Sequence, residues 1–139
     1  MSENRPRVLV VDDDSLSRRI LTQVLASAGY EVESAVDGQD ALGKIRSHRP
    51  DVVVTDWQMP RMDGLTALKH IMIRNARPVV VLSAFTPQTS PLSYQSFKLG
   101  AVDVLTKPSQ KADISLKMEQ EELCRHIREA GAVRLRSPP

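Results

Sequence analysis

The stretch Arg7-Val8-Leu9-Val10-Val11-Asp12-Asp13-Asp14 places a short, valine-rich apolar run directly before three aspartates. A run of this length and composition predicts a buried strand of a parallel sheet. Carboxylates that follow such a strand crowd negative charge at one edge of the sheet, and like charges at close range repel each other. A hard divalent cation such as Mg²⁺ offsets this repulsion, because it takes oxygen ligands and keeps several waters. The stretch therefore predicts a strand end that holds Mg²⁺.

Three further apolar runs each end in a polar side chain: residues 52–56 in Asp56, residues 79–83 in Ser83 and residues 102–107 in Lys107. Because the carboxyl ends of parallel strands lie at one edge of a sheet, we expect these side chains to meet in one crevice with the aspartates. A single acidic residue at a strand end is often only a helix cap or a solvated loop residue. Four strand ends that combine acids, a hydroxyl and an amine favour a functional site.

Strand and helix patterns alternate along the chain, which predicts an α/β fold with a parallel sheet. Residues 15–28 carry an apolar stripe that includes Leu16 and Leu25, and Asp14 stands at the capping position of this helix. Residues 31–35 alternate between polar and apolar side chains and are typical of an edge strand.

The second half of the chain predicts a short helix and a long one. A short helix with Leu92, Phe97 and Leu99 is expected before Gly100. The last helix is expected to run from about residue 113 to residue 130, with four apolar side chains facing the core: Ile114, Met118, Leu123 and Ile127. Residues 131–139 lack periodicity and are interpreted as a linker or a disordered tail after a domain of residues 1–130.

Composition narrows the class of protein. A chain of 139 residues with 41% hydrophobic residues fits one domain with one core. A net charge of +2 does not indicate nucleic acid binding, and one cysteine, Cys124, allows no intramolecular disulfide. The N-terminus lacks the long apolar region of a signal peptide, and no stretch approaches the ~20 apolar residues that span a membrane. We therefore expect a cytoplasmic protein without membrane contacts.

Four motifs together make the chain resemble a response-regulator receiver domain over residues 7 to about 130. They are Val-Val-Asp-Asp-Asp-Ser (residues 10–15), Val-Thr-Asp-Trp-Gln-Met-Pro-Arg-Met-Asp-Gly (54–64), Val-Leu-Ser-Ala (81–84) and Gly-Ala-Val-Asp-Val-Leu-Thr-Lys-Pro (100–108). The resemblance implies a flavodoxin-like, doubly wound sheet of five parallel strands in the order 2-1-3-4-5, with five helices. It also implies a role in two-component signalling, in which a histidine kinase is the phosphodonor.

The family's functional residues carry over onto matching positions of this sequence. Asp56 corresponds to the phosphoacceptor, Asp12 and Asp13 to the residues that hold Mg²⁺ together with Asp56, and the backbone carbonyl of Gln58 to a further ligand. Ser83 corresponds to the hydroxyl that contacts the phosphoryl group and starts the conformational switch, and Lys107 to the lysine that pairs with phosphate oxygens. The resemblance also implies a cis peptide bond before Pro108.

Two positions depart from the family pattern, and both concern the switch. Val104 stands where the family usually has an aromatic side chain, so the usual coupling of that side chain to the hydroxyl is not expected. Phe85 places an apolar group two residues after Ser83, where it would affect access of water to the phosphoryl group.

The Thr-Lys-Pro-Ser sequence (106–109) and the Pro/Ser/Thr-rich loop before the short helix are most similar to the N-terminal domain of a chemotaxis protein-glutamate methylesterase. The expected output is then a methylesterase domain in cis, and the chain itself has no enzyme activity beyond its own phosphorylation and dephosphorylation. The alternatives are a free-standing phosphorelay receiver, a receiver with another output or partner protein, a receiver-like scaffold without phosphorylation, and a flavodoxin-like nucleotide-binding module. A phosphatase with an aspartate nucleophile is disfavoured, because Gln58 occupies the place of its second carboxylate.

Overall fold

The computed structural model describes residues 5–59, 62–83, 91–107 and 114–133, with the backbone alone for residues 114–117. Within these ranges five strands alternate with five helices. The strands are β1 (Arg7–Val11), β2 (Glu31–Ala35), β3 (Val52–Asp56), β4 (Val79–Ser83) and β5 (Asp103–Thr106). The helices are α1 (Ser15–Ser27), α2 (Gly38–His48), α3 (Gly64–Arg74), α4 (Pro91–Lys98) and α5 (Ile114–Gly131).

All strand pairs are parallel, and the strand order is β2-β1-β3-β4-β5. This arrangement confirms the predicted flavodoxin-like sheet and the edge position of β2. The register aligns the strand ends: Val11 pairs with Thr55, Asp56 with Leu82, and Ser83 with Thr106. The residues that follow β1, β3, β4 and β5 therefore emerge at the same edge.

The core forms two layers because alternate residues of each strand face opposite sides of the sheet. Val8 and Val10 pack with apolar residues of α1 and α5, whereas Leu9 and Val11 pack with those of α2 and α3. These four side chains of β1 are at most 1% exposed. A strand buried on both faces explains the continuous apolar run in the sequence.

Two predicted inward positions are wrong: Leu16 is 50% exposed and Met118 is 67% exposed. At about 100° per residue, Leu16 lies about 180° around α1 from the buried Leu25, and Met118 lies about 180° around α5 from the buried Ile127. Neither can share the inward face. In α4 the small side chains of Ser93 and Ser96 face inward, so the helix presents its bulkier residues to solvent.

Candidate functional site

Two strand ends bring three aspartates together. Asp12 follows β1 and is 0% exposed, and Asp56 is the last residue of β3 and is 8% exposed. Asp13 is exposed beside them, and one carboxylate oxygen from each of the three residues lies within 4.8 Å of the others. The predicted acidic pair and the predicted phosphoacceptor thus occupy one cluster.

Lys107 follows β5 and bridges the two buried carboxylates. Its Nζ lies 2.9 Å from Oδ2 of Asp12 and 3.2 Å from Oδ2 of Asp56, and its side chain is 18% exposed. Although Asp12 Oδ2 forms this ion pair, it accepts no hydrogen bond of acceptable geometry from the described residues. A buried oxygen of this kind has remaining capacity for a further ligand.

The surroundings of Asp56 oppose its charge. Burial raises the pKa of the Asp56 carboxyl above its usual value; Lys107 counters this rise and the Asp12 charge adds to it. Burial acts in the opposite direction on the pKa of Lys107, but contacts with Asp12 and Asp56 outweigh it and the pKa of the ammonium group is raised. Lys107 therefore stays charged, and one ammonium group does not fully offset two buried carboxylates.

Asp14 is separate from this cluster, as the sequence predicted. Its side chain accepts a hydrogen bond of 2.8 Å from the backbone N–H of Ser17 and caps α1. That backbone hydrogen bond lowers the pKa of the Asp14 carboxyl. Its own backbone N–H donates to Oδ1 of Asp12 at 2.9 Å, which fixes the orientation of the Asp12 carboxylate.

The other predicted site residues occupy the same edge of the sheet or its vicinity. Ser83 ends β4 and is 4% exposed, and its carbonyl accepts a 2.8 Å hydrogen bond from the backbone N–H of Lys107. Gln58 is exposed two residues after Asp56. Val104 is 9% exposed and packs in the core layer of α2 and α3. Phe85 and the peptide bond before Pro108 lie outside the described residues.

Two residues that support the site were not identified from the sequence. The Arg18 guanidinium donates a 2.8 Å hydrogen bond to the carbonyl of Asp12 from the first turns of α1. Gly64 approaches the site so closely that a Cβ at this position would lie 2.4 Å from the carbonyl oxygen of Asp56. The Asp-Gly pair at the start of α3 was the available signal for this close approach, whereas Arg18 resembles any solvated helix residue.

The residues present fit a divalent cation. Three carboxylates converge, one of them offers a buried oxygen without a hydrogen bond, and the net charge of the cluster with Lys107 is negative. Carboxylate oxygens in such a number leave room for the waters that Mg²⁺ retains.

Comparison with known proteins identifies the family of this arrangement. The family model described as response regulator receiver domain matches residues 8–119. A protein-glutamate methylesterase/protein-glutamine glutaminase 1 of Anaeromyxobacter dehalogenans is 42% identical over 132 residues, which are 95% of this chain and 38% of the relative. A protein-glutamate methylesterase/protein-glutamine glutaminase of Archaeoglobus fulgidus is 43% identical over 130 residues, which are 93% of this chain and 37% of the relative. The chain thus spans a little over a third of the length of these relatives.

Solved structures give the same result for the fold. The response regulator domain of Thermotoga maritima CheB matches with a TM-score of 0.84 and 33% identity, covering 95% of this chain and 100% of that one. Vibrio cholerae chemotaxis protein CheY4 matches with a TM-score of 0.77 and 31% identity, covering 91% and 98% of the two chains. In the part of the chain that the structure describes, no helix is both long and apolar enough to cross a membrane.

Proposed function

Because the chain belongs to the response regulator receiver domain family, we propose that Asp56 accepts a phosphoryl group from a histidine kinase. The observation that carries this proposal is the position of Asp56. It is a buried carboxylate at the end of the central strand, 3.2 Å from an ammonium group and within one oxygen cluster with Asp12 and Asp13.

The proposed reaction needs positioning and charge neutralisation more than covalent chemistry from the protein. A carboxylate oxygen of Asp56 forms a bond to phosphorus while the bond between phosphorus and the donor nitrogen breaks, and the nitrogen keeps the electron pair. Lys107 already lies between Asp12 and Asp56 and would pair with a phosphoryl oxygen. The Ser83 hydroxyl, at the end of the neighbouring strand, is proposed to contact another.

The metal is proposed to be Mg²⁺. When bound, it supplies positive charge against the phosphoryl oxygens. It would be held by the carboxylates of Asp12, Asp13 and Asp56 and by the backbone carbonyl of Gln58. The Asp12 carboxylate is oriented by the hydrogen bond to its Oδ1, and its Oδ2 accepts no hydrogen bond from the described residues.

Incubation with acetyl phosphate and Mg²⁺, followed by intact mass measurement, tests the acceptor. The wild-type chain should gain one phosphoryl group, and Asp56→Asn should gain none. Asp14→Asn is the matched control, since asparagine caps a helix as well as aspartate and Asp14 lies outside the cluster. An equal gain in Asp56→Asn would refute the assignment, and no gain in the wild type would favour the scaffold without phosphorylation.

We further propose that the output is a protein-glutamate methylesterase domain joined to this receiver. The relatives that carry this name and extend well beyond the matched region support the proposal. A chimera with this chain in place of the receiver of the Anaeromyxobacter relative tests it. Its methylesterase activity should change when acetyl phosphate is added. In a chimera that carries Asp56→Asn, acetyl phosphate should leave the activity unchanged. If Asp56 is fully phosphorylated and the methylesterase activity stays the same, another output is favoured.

A further inference from the structure

A second candidate site lies between α2 and α3, away from the acidic cluster. A groove of about 230 Å³ opens there, lined by Leu42, Gly43, Arg46, Arg74 and Asn75. Arg46 and Arg74 belong to the last turns of their helices, and the C-terminal ends of these helices lead into the strands at the edge opposite Asp56. The groove is therefore physically separate from the phosphoacceptor.

Its two guanidinium groups are exposed and have no ion pair or side-chain hydrogen bond among the described residues. Three other basic residues do have partners. Lys44 pairs with Asp40 at 3.4 Å, Arg7 with Glu31 at 3.4 Å, and Arg77 donates to a backbone carbonyl at 3.0 Å. No acidic residue lines the groove, so two positive charges face solvent there without a counter-charge.

Gly43 provides an independent observation. It lies in the interior of α2, where glycine is less favourable than alanine because it adds backbone freedom to the unfolded chain. A Cβ at this position would meet nothing within 4 Å, so nothing in the described fold requires the side chain to be absent. A basic residue in the last turn of a helix is favourable by itself and accounts for the two arginines, but not for this glycine.

We propose that the groove binds an extended, acidic segment of a partner protein. Carboxylates of the segment would pair with Arg46 and Arg74, since a guanidinium group matches a carboxylate in a two-point contact. An apolar side chain between them would lie on Leu42, and the segment's backbone would approach α2 closely at Gly43. The partly buried Leu42 and the missing Cβ of Gly43 give the groove the apolar, open floor that this arrangement needs.

The lining favours a peptide over the other anionic ligands. A small free anion would pair with the guanidinium groups and leave the apolar surface of Leu42 uncovered. A segment with an apolar side chain between two carboxylates contacts both kinds of surface. Nucleic acid binding of unpaired bases relies on aromatic stacking, and none of the lining residues is aromatic.

The test uses the full chain and a fluorescein-labelled peptide in which two glutamates flank one leucine, with binding followed by fluorescence anisotropy. Arg46→Gln and Arg74→Gln should each weaken binding about tenfold, and added salt should weaken it further. Arg19→Gln, an exposed arginine on α1 at the other face of the sheet, is the matched control and should not change binding. Asp56→Asn should not change it either, which makes this test independent of the proposed phosphorylation.

Gly43→Ala separates a binding role from a folding role. It should raise the melting temperature, because alanine favours the helix and its Cβ fits, yet it should weaken peptide binding by crowding the floor. A more stable variant with unchanged binding would refute the close approach at Gly43. Absence of peptide binding at about 1 mM, displacement of the peptide by an equal concentration of inorganic phosphate, or tighter binding of a single-stranded oligonucleotide would each overturn the proposal.

Discussion

Asp56 combines a reactive position with an unfavourable charge, and this combination has a measurable consequence for stability. Its pKa is raised because burial outweighs the attraction of Lys107. The metal-free fold therefore disfavours the ionised carboxylate at neutral pH. Asp56→Asn should raise the melting temperature in the absence of Mg²⁺ by a few degrees, as differential scanning fluorimetry would show. A lower melting temperature would mean that the ion pair with Lys107 stabilises the fold more than burial destabilises it.

The pH dependence of this difference follows from the direction of the shift. A raised pKa means that Asp56 stabilises the folded state below its unfolded pKa of 3.8 and that this contribution is lost as the pH rises through the folded pKa. The stability advantage of Asp56→Asn should therefore be smallest below pH 3.8 and should grow above it. Urea unfolding of the wild-type chain and of Asp56→Asn, from below pH 3.8 to neutral pH, measures this difference in the free energy of unfolding. A difference that shrinks with rising pH would contradict the raised pKa of Asp56.

Lys107 is the counter-charge for both buried carboxylates, so its removal should be costly. Lys107→Ala would leave Asp12 and Asp56 close together without a cation, and the free energy of unfolding should fall by about 1–3 kcal/mol at neutral pH. Mg²⁺ should restore part of the loss. Lys69→Ala, an exposed lysine on α3, serves as the control in urea unfolding. If both variants unfold alike, Lys107 has no structural role in the unphosphorylated protein.

At the scale of elements, the start of α1 divides neighbouring aspartates between two roles. Asp14→Ala removes the cap and should cost about 1 kcal/mol of stability while leaving Mg²⁺ affinity unchanged. Asp13→Ala should weaken Mg²⁺ binding strongly, because Asp13 belongs to the cluster. Titration of Mg²⁺ against the fluorescence of Trp57, which adjoins Asp56, measures the Mg²⁺ affinity of both variants. Equal losses of affinity would contradict this division.

The strands were predictable because a strand buried on both faces leaves a continuous apolar run, and β1, β3 and β4 each have one. Their order was expected only from the resemblance to receiver domains. The helix faces were less predictable. Met118 was assigned inward although its angular position opposes that of Ile127, and a single apolar residue on an exposed face resembles a core residue when periodicity is not measured. In α4, the small serines Ser93 and Ser96 face inward and Phe97 is exposed.

Much of the site could also be predicted, because parallel topology alone brings Asp12, Asp56 and Lys107 to one edge. The supporting contacts could not. The hydrogen bond from Arg18 to the carbonyl of Asp12 and the approach of Gly64 to Asp56 depend on how α1 and α3 sit against the strand ends. Such distances arise from packing and leave no periodic trace in the sequence.

At the scale of the whole molecule, α4 is held less firmly than α5. α5 packs through Leu123, Ile127 and other buried apolar residues. α4 packs through Ser93 and Ser96, and the Ser96 hydroxyl has no hydrogen-bond partner among the described residues. A helix with few buried apolar contacts opens at a low free-energy cost, so α4 is the element best suited to respond to phosphorylation.

Hydrogen exchange with and without beryllofluoride and Mg²⁺, which mimic the phosphoryl group, should detect this response. With Val104 in the position of the usual aromatic, a side-chain rotation cannot transmit the change, so backbone movement must carry it. Exchange should therefore change across residues 84–99, which include α4, and at the start of α5. It should stay constant at the groove between α2 and α3, which lies at the opposite edge of the sheet. A change confined to the residues around Asp56 would mean that the domain stores a phosphoryl group without switching an output.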